Sequence, residues 1–341
     1  MNFENVVLKK RHDRRIRSGH PWVFSNEIDT KKTPLSSYGA GQPVNVHSAS
    51  GHLLGSGYIN PASLIAIRLL GGEADLTLDA RLLKLRIERA LQLRKTRYPH
   101  PYYRAVFAES DALPGIIVDR YADVLVVQLT TAGADAAKDT IADTLIEALS
   151  PKVLFIKNNL RARDLENLPL DDEVLLGSAP ERLRVEENGC HFLCDLMRGQ
   201  KTGWFYDQRT ARSRVAAYAN STDVLDVCSY VGGFGVNCAH AGAKSVSFVD
   251  ASKSALAFAV SNLRDNVPGV STQAIEGDML SVLSELEQAG RQFDIVIVDP
   301  PALIPRRKDR HNGQQAYRRL NRAALRLLSQ GGYLVSSSCS Y

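Results

Sequence analysis

Along the chain the spacing of apolar positions changes character three times. Up to about residue 72 the apolar residues come in short runs, PVNVHSA, HLLGSGYI and LIAIRLL, broken by Gly, Pro and Ser. Runs of this length between turn residues predict a small all-β barrel over 1–72. From Leu78 to Arg97, LDARLLKLRIERALQLRKTR spaces its apolar residues at helical intervals with charges between them, the pattern of a long amphipathic helix. Strands at GIIVD, VLVVQLT and VLFIK and a helix near 135–149 then predict a central α+β domain over 73–199. That domain is expected to end in a hairpin, because RLRVEENGCHFLCDL carries two alternating arms around Asn188-Gly189, a pair suited to a tight turn.

From residue 200 the rhythm becomes strand–helix alternation. Strands fit VLDV (224–227), SVSFVD (245–250), TQAIEG (272–277), FDIVIVD (293–299) and GYLVSSS (332–338), with helices between them. A mobile, charged loop over 304–312 is expected to lead into a helix with apolar residues at 320, 324, 325, 327 and 328. Such alternation predicts an α/β domain over 200–341 built on a doubly wound parallel sheet, whose ligand lies beyond the carboxyl ends of the strands.

Composition excludes several classes. A chain of 341 residues with 44% hydrophobic and 23% charged residues is a globular protein of more than one domain. No apolar run approaches the ~20 residues needed to cross a bilayer, and MNFENVVLKKRHDRR lacks the apolar core of a signal peptide, so no membrane role and a cytoplasmic location are expected. Five cysteines without a Cys-x-x-Cys pair favour neither a disulfide framework nor a metal site. The net charge of +5 is unevenly placed. Lys9, Lys10, Arg11, Arg14, Arg15 and Arg17 cluster near the N-terminus. Arg306, Arg307, Lys308, Arg310, Arg318, Arg319, Arg322 and Arg326 cluster near the C-terminus. Each cluster suits a polyanion such as RNA, and each also suits a solvated, salt-bridged surface.

The candidate chemistry sits at the predicted strand ends. DVCSYVGGFGVNCAHAGAKSVSFVDAS (226–252) has Gly232, Gly233 and Gly235 but lacks the third glycine of the dinucleotide fingerprint. Asp226 is poorly placed for a pyrophosphate and well placed for a cationic sulfonium ligand with an amino-acid tail, with Ser229 in the same loop. Asp250 suits a ribose hydroxyl pair, and Asp278 an adenine amino group; as plain strand-end acids all three would instead cap the helices that follow. S-adenosylmethionine is therefore favoured over NAD, and with it methyl transfer over hydride transfer. At the fourth strand end, Asp299-Pro300-Pro301 presents a carboxylate on rigid backbone toward a planar substrate. At the fifth, Cys339 stands beside the methyl donor. A thiolate adding to carbon 6 of a pyrimidine makes carbon 5 nucleophilic; a structural thiol is the plain alternative.

Together these residues resemble the S-adenosylmethionine-dependent large-subunit rRNA cytosine-C5 methyltransferases with an N-terminal PUA domain. The likeness runs through RSGHPWVFSNEI, GYINPASLIAIRLL, SDALPGIIVDRYADVLVVQL, GQKTGWFYDQR, DVCSYVGGFG, DPP and SCS. GQKTGWFYDQR is the most specific of these blocks. The resemblance implies a PUA-like RNA-binding barrel and a Rossmann-like methyltransferase domain that makes 5-methylcytosine. It implies a donor pocket of Asp226, Ser229, Tyr230, Gly232, Phe234, Asp250 and Asp278, closed by Gln208 and Arg209. It further implies Cys339 as nucleophile, Asp299 on the base edge, Pro300 against the substrate, RNA phosphates gripped by the basic clusters, and a homodimer. Two departures stand out. Ala302 and Leu303 replace the aromatic that usually follows Asp-Pro-Pro. A complete fold of this type also continues with another helix and an antiparallel strand pair, so a sheet shortened after its fifth strand is expected. Methylation of a guanine nitrogen on the same fold, and an RNA-binding protein with a vestigial catalytic domain, are the alternative readings.

Overall fold

A computed structural model describes residues 3–304 and 306–340. Met1, Asn2, Pro305, Tyr341 and the side chain of Arg307 lie outside the described residues. The chain divides into two compact units, Met1–Glu181 with Gln200–Thr202, and Arg182–Gly199 with Gly203–Tyr341.

The first unit holds two five-stranded sheets. The N-terminal sheet runs in the order Glu4–Val7, Gln42–His47, Leu53–Ile59, Ile67–Gly71, Trp22–Val23. It closes over Val6, Leu8, Val23, Ile28, Val44, Val46, Ile59 and Ile67, all fully buried. The amphipathic segment forms the helix Ala80–Lys95. Asp79 caps it by accepting from the Leu82 N–H, and Leu83, Ile87, Ala90 and Leu91 face the core at three- and four-residue intervals. The second sheet runs Glu173–Leu176, Val153–Ile156, Val124–Leu129, Ile116–Tyr121, Tyr102–Phe107.

The second unit is organised by a five-stranded, all-parallel sheet in the order Ser271–Glu276, Ser245–Asp250, Asp223–Val227, Phe293–Val298, Leu328–Ser336. Residues 224–227, 246–249 and 295–298 of its three central strands are all buried, as helices covering both faces require. Strand order reverses between Asp223–Val227 and Phe293–Val298, the place where an open α/β sheet parts its loops and leaves a crevice.

Three local expectations change. The last strand begins at Leu328, because the pairing shifts register between Phe293 and Ile295 and Gly331, at φ +83°, takes up the bend. Leu328 is therefore not helical, and Leu325 points to solvent at 54% exposure while Leu320, Ala324 and Leu327 are buried. The hairpin Arg182–Glu187/Cys190–Asp195, expected to end the central domain, belongs to the second unit. There the side-chain amides of Asn262 and Asn266 satisfy its edge, accepting from the backbone N–H groups of Leu193 and His191 at 2.8 Å each. Its turn residues Asn188 and Gly189 have φ of +54° and +80°, the left-handed pair a two-residue hairpin turn requires. Among the described residues no helix is long and apolar enough to cross a membrane, and no cluster of His, Cys, Asp and Glu is arranged to hold a metal ion.

Candidate functional site

The loop after Asp223–Val227 is conformationally strained. Cys228, Tyr230 and Gly232 have φ of +60°, +51° and +83°, and a left-handed backbone at two non-glycine residues persists only where surrounding bonds enforce it. Those bonds are present. Ser229 N–H donates to Val249 O at 3.0 Å, and Gly232 N–H to Ser229 O at 2.9 Å. Tyr230 N–H donates to Asp250 Oδ2 at 2.8 Å. Beneath the loop, Asp226 is 1% exposed and accepts from Gly235 N–H through Oδ2. Its Oδ1 and the Ser229 Oγ are buried without a hydrogen-bond partner. Burial, reinforced by the negative charges of Asp299 and Asp250, raises the Asp226 carboxyl to about 7 despite the Gly235 bond and the Arg212 charge. Two buried oxygens awaiting donors in an acidic surrounding fit the cationic amino-acid end of S-adenosylmethionine and disfavour a pyrophosphate.

The glycines have a packing reason as well. A Cβ on Gly235 would lie 2.7 Å from Val246 Cγ1 and collide with the Phe248 ring, one on Gly232 would lie 3.0 Å from Ala259, and one on Gly233 would meet Arg212 Nε at 2.7 Å. They let the helix Gly233–His240 press onto the sheet and onto Arg212, rather than only admitting a ligand to the backbone.

The 199–209 block is anchored by a carboxylate that sequence reasoning overlooked. Glu187, at the end of the first hairpin strand, has a fully buried side chain. It takes Arg212 at 2.6 Å, Arg209 at 3.1 Å and the Trp204 indole N–H at 3.0 Å. The Arg212 guanidinium lies 4.3 Å over the Trp204 ring and 5.8 Å over the Phe234 ring. Only the aromatic and basic density of GWFYDQRTAR hinted at such a knot. The predicted donor-closing residues are thereby placed differently from one another. Arg209 is engaged with Glu187, whereas Gln208 Nε2 reaches Asp299, at 3.3 Å from Oδ1. Tyr230 turns its hydroxyl onto Gly203 O at 3.0 Å and its ring edge onto Phe205, and Phe234 is buried.

Asp250 spans the neighbouring turn, accepting from Tyr230 N–H and, through Oδ1, from Ser252 N–H at 2.9 Å. Asp278 caps the helix Met279–Gln288 through the N–H groups of Leu280 and Ser281 and keeps an exposed side chain. Cys339 is exposed, and its Sγ lies 3.8 Å from the Pro300 carbonyl, so the Ser-Cys-Ser and Asp-Pro-Pro segments meet. The other free thiols, Cys190, Cys194, Cys228 and Cys238, are buried or partly so. Burial, with nearby acids, pushes Cys228 up to about 12, leaving it unreactive.

Of the basic residues, Lys10, Arg11, Arg14, Arg306 and Lys308 are exposed. Lys9, also exposed, donates to Asn26 O. Arg15 is already committed, with both Glu27 carboxylate oxygens at 2.9 Å and its guanidinium over Phe24.

Residues 6–71 match the PUA-like domain family, and residues 165–340 match the S-adenosylmethionine-dependent methyltransferase family. The chain is 34% identical over 98% of its length to a protein of Aliivibrio fischeri named ribosomal RNA large subunit methyltransferase I, covering 85% of that relative. A relative of the same name from Shewanella frigidimarina has the same identity and coverage. A Streptococcus mutans structure described as a SAM-dependent methyltransferase superposes with a TM-score of 0.81 at 21% identity, over 98% of this chain and 85% of that one. A further methyltransferase structure, complexed with SAH, gives 0.82 at 21% identity over 99% and 86%.

Proposed function

This chain belongs to the family of S-adenosylmethionine-dependent methyltransferases that carry a PUA-like domain, and from that premise we propose that it methylates carbon 5 of a cytosine in large-subunit rRNA through a covalent adduct on Cys339. The observation that carries the reading is the meeting of an exposed thiol with the Asp299-Pro300-Pro301 segment, Cys339 Sγ standing 3.8 Å from Pro300 O. The names of the relatives support large-subunit rRNA as the acceptor.

Bound S-adenosylmethionine supplies an electrophilic methyl group on a sulfonium. Asp226 and Ser229 hold its cationic amino-acid end, Asp250 its ribose and Asp278 its adenine. Cys339, as the thiolate, forms a bond to carbon 6 of the cytosine, and the C5–C6 π electrons become available at carbon 5. Asp299, steadied by Gln208, holds the base edge and delivers a proton to N3 as that bond forms. Carbon 5 takes the methyl group as the sulfonium sulfur leaves as a neutral thioether. Loss of the carbon 5 hydrogen as a proton to solvent, departure of the Cys339 sulfur as thiolate and return of the N3 proton to Asp299 then restore the aromatic ring. Lys9, Lys10, Arg11 and Arg14 in the first unit and Arg306 and Lys308 in the second meet RNA phosphates.

The test incubates the protein with S-adenosylmethionine and unmodified large-subunit rRNA, digests the product to nucleosides and weighs them. 5-Methylcytidine, lost in Cys339→Ala, is expected. A methylguanosine, or an unimpaired Cys339→Ala variant, would overturn the covalent C5 reading.

A further inference from the structure

Resting on that reading, we infer that Tyr317 is the positioning residue that registers the nucleophile segment against the Asp-Pro-Pro segment. Cys339 lies between two serines whose side chains both end on one phenol. Ser338 Oγ donates to Tyr317 Oη at 3.0 Å, and Tyr317 Oη lies 2.9 Å from Ser340 Oγ. Either hydroxyl can be the donor of the Tyr317–Ser340 bond, since the phenol oxygen has a second lone pair and a proton left after accepting from Ser338. Ser340 N–H in turn donates to Ser338 Oγ at 3.2 Å, which closes a ring of bonds around Cys339. A further bond leaves the ring, Ile304 N–H donating to Ser340 Oγ at 3.0 Å. The segment downstream of Pro301 is thus tied to the segment that carries the thiol.

A second, independent feature of the same helix points the same way. Gly313 lies one turn before Tyr317 on Arg310–Arg326 and is buried, and residues four apart share a helix face. A Cβ there would stand 3.0 Å from the Leu303 carbonyl carbon and collide with the Leu303 oxygen and Ile304 Cγ1. A helix interior tolerates glycine only at a cost of about 1 kcal/mol, and here its bare backbone seats Leu303 and Ile304. Gly313 therefore carries one segment and Tyr317 the other. Their fixed spacing on one rigid helix sets where Cys339 stands relative to Asp299. The long helix is in this way the jig for the proposed nucleophile.

Tyr317→Phe keeps the ring and removes the hydroxyl; Ser340→Ala removes the hydroxyl at the other end of the same link. In the full-length protein without ligands, hydrogen–deuterium exchange of peptides covering 302–304 and 337–340 is expected to quicken about tenfold in either variant, the change that removal of one hydrogen bond produces. Peptides over 223–240 should exchange as in the wild type, and S-adenosylmethionine should bind with unchanged affinity by calorimetry. In methyl transfer kcat should fall about tenfold with KM for RNA nearly constant, because a misplaced nucleophile weakens the transition state and not RNA capture. Unchanged exchange in both variants, or exchange that quickens in 337–340 alone, would overturn the inference. So would a rise in KM at constant kcat. The exchange measurement needs no methylated product, so it is decided separately from the nucleoside assay that decides the C5 reading.

Discussion

Replacing Asp226 by Asn tests the central electrostatic feature of the donor site. Asparagine keeps the volume and, through its amide oxygen, the acceptor for Gly235 N–H, but removes the charge. In the folded ligand-free protein Asp226 titrates at about 7 against an ordinary 3.8, chiefly because it is buried. Below about pH 4 the folded and unfolded chains both carry the proton, so the residue does not discriminate between them. Between about pH 4 and pH 7 the unfolded chain has released a proton that the folded chain still holds, so stability falls as pH rises through this window. Above about pH 7 the loss is complete, and a difference of about 3 pK units corresponds to about 4 kcal/mol. The substituted asparagine does not titrate. The melting temperature of Asp226→Asn relative to wild type should therefore rise with pH, reaching on the order of 8 °C by about pH 8 at ~2 °C per kcal/mol. The same group predicts the opposite effect on ligand binding. Wild-type affinity for S-adenosylmethionine should fall by up to about tenfold per pH unit below pH 7, with a proton released on binding, and Asp226→Asn should bind weakly at every pH. Differential scanning fluorimetry across pH reads the first effect; calorimetry in buffers of different ionisation enthalpy reads the second. A melting difference independent of pH, or a wild-type affinity flat between about pH 5.5 and pH 7, would refute the reasoning.

Glu187→Ala leaves Arg212 charged and buried without its carboxylate, and should destabilise the second unit by about 3–5 kcal/mol in urea unfolding; a loss under about 1 kcal/mol would mean that solvent already reaches the knot. Gly235→Ala drives a methyl group into Phe248 and Val246, and should lower stability by about 1–3 kcal/mol while also weakening donor binding, measured by melting and calorimetry. Changing Arg318, Arg319 and Arg322, all exposed on one helix, to Gln should flatten the dependence of log affinity on log salt for RNA by about 2, at ~0.7 for each phosphate no longer neutralised. An unchanged slope would place that helix away from the RNA backbone.

The parallel sheet was legible because its central strands, flanked by helices on both faces, are short and mainly apolar, with an acid at or near the carboxyl end. The hairpin turn was legible because Asn188-Gly189 is a local conformational signal. The hairpin's allegiance to the second unit was not, since it depends on Asn262 and Asn266 about 70 residues later, whose amides read in sequence as ordinary polar positions on a helix. Gln208 and Asp299 meet across 91 residues. The knot on Glu187, though its partners lie only 17 to 25 residues on, was equally hidden: an ion pair buried by tertiary packing has no periodicity to betray it. Leu325 shows the converse failure, an apolar residue at an inward-looking spacing that the turn of the helix leaves in solvent. Glycine chemistry was half legible. The cluster marked the loop, while its reason lay in the side chains of Phe248, Val246 and Arg212.

Burial across the strand ends follows the division of labour that the proposed reaction needs. At the first strand, in the middle of the sheet, Asp226 and Ser229 are 1% and 5% exposed; a cationic tail placed there loses its water and is held by fixed oxygens in return. Toward one edge Asp250 is half-buried and Asp278 exposed, a gradient that suits a ligand whose ribose and adenine run outward from a buried anchor. Toward the other edge Asp299 is half-buried and Cys339 exposed. In the proposed reaction a cytosine embedded in RNA would meet the thiol from that exposed side, after leaving its stack. Were the nucleophile as buried as Asp226, the RNA backbone could not bring a base to it; were Asp226 as exposed as Cys339, water would satisfy its free oxygen and weaken its hold on the donor. The exposed thiol and the starved carboxylate are therefore complementary requirements of a small donor and a large acceptor, and exchanging their environments would disable both ends of the transfer.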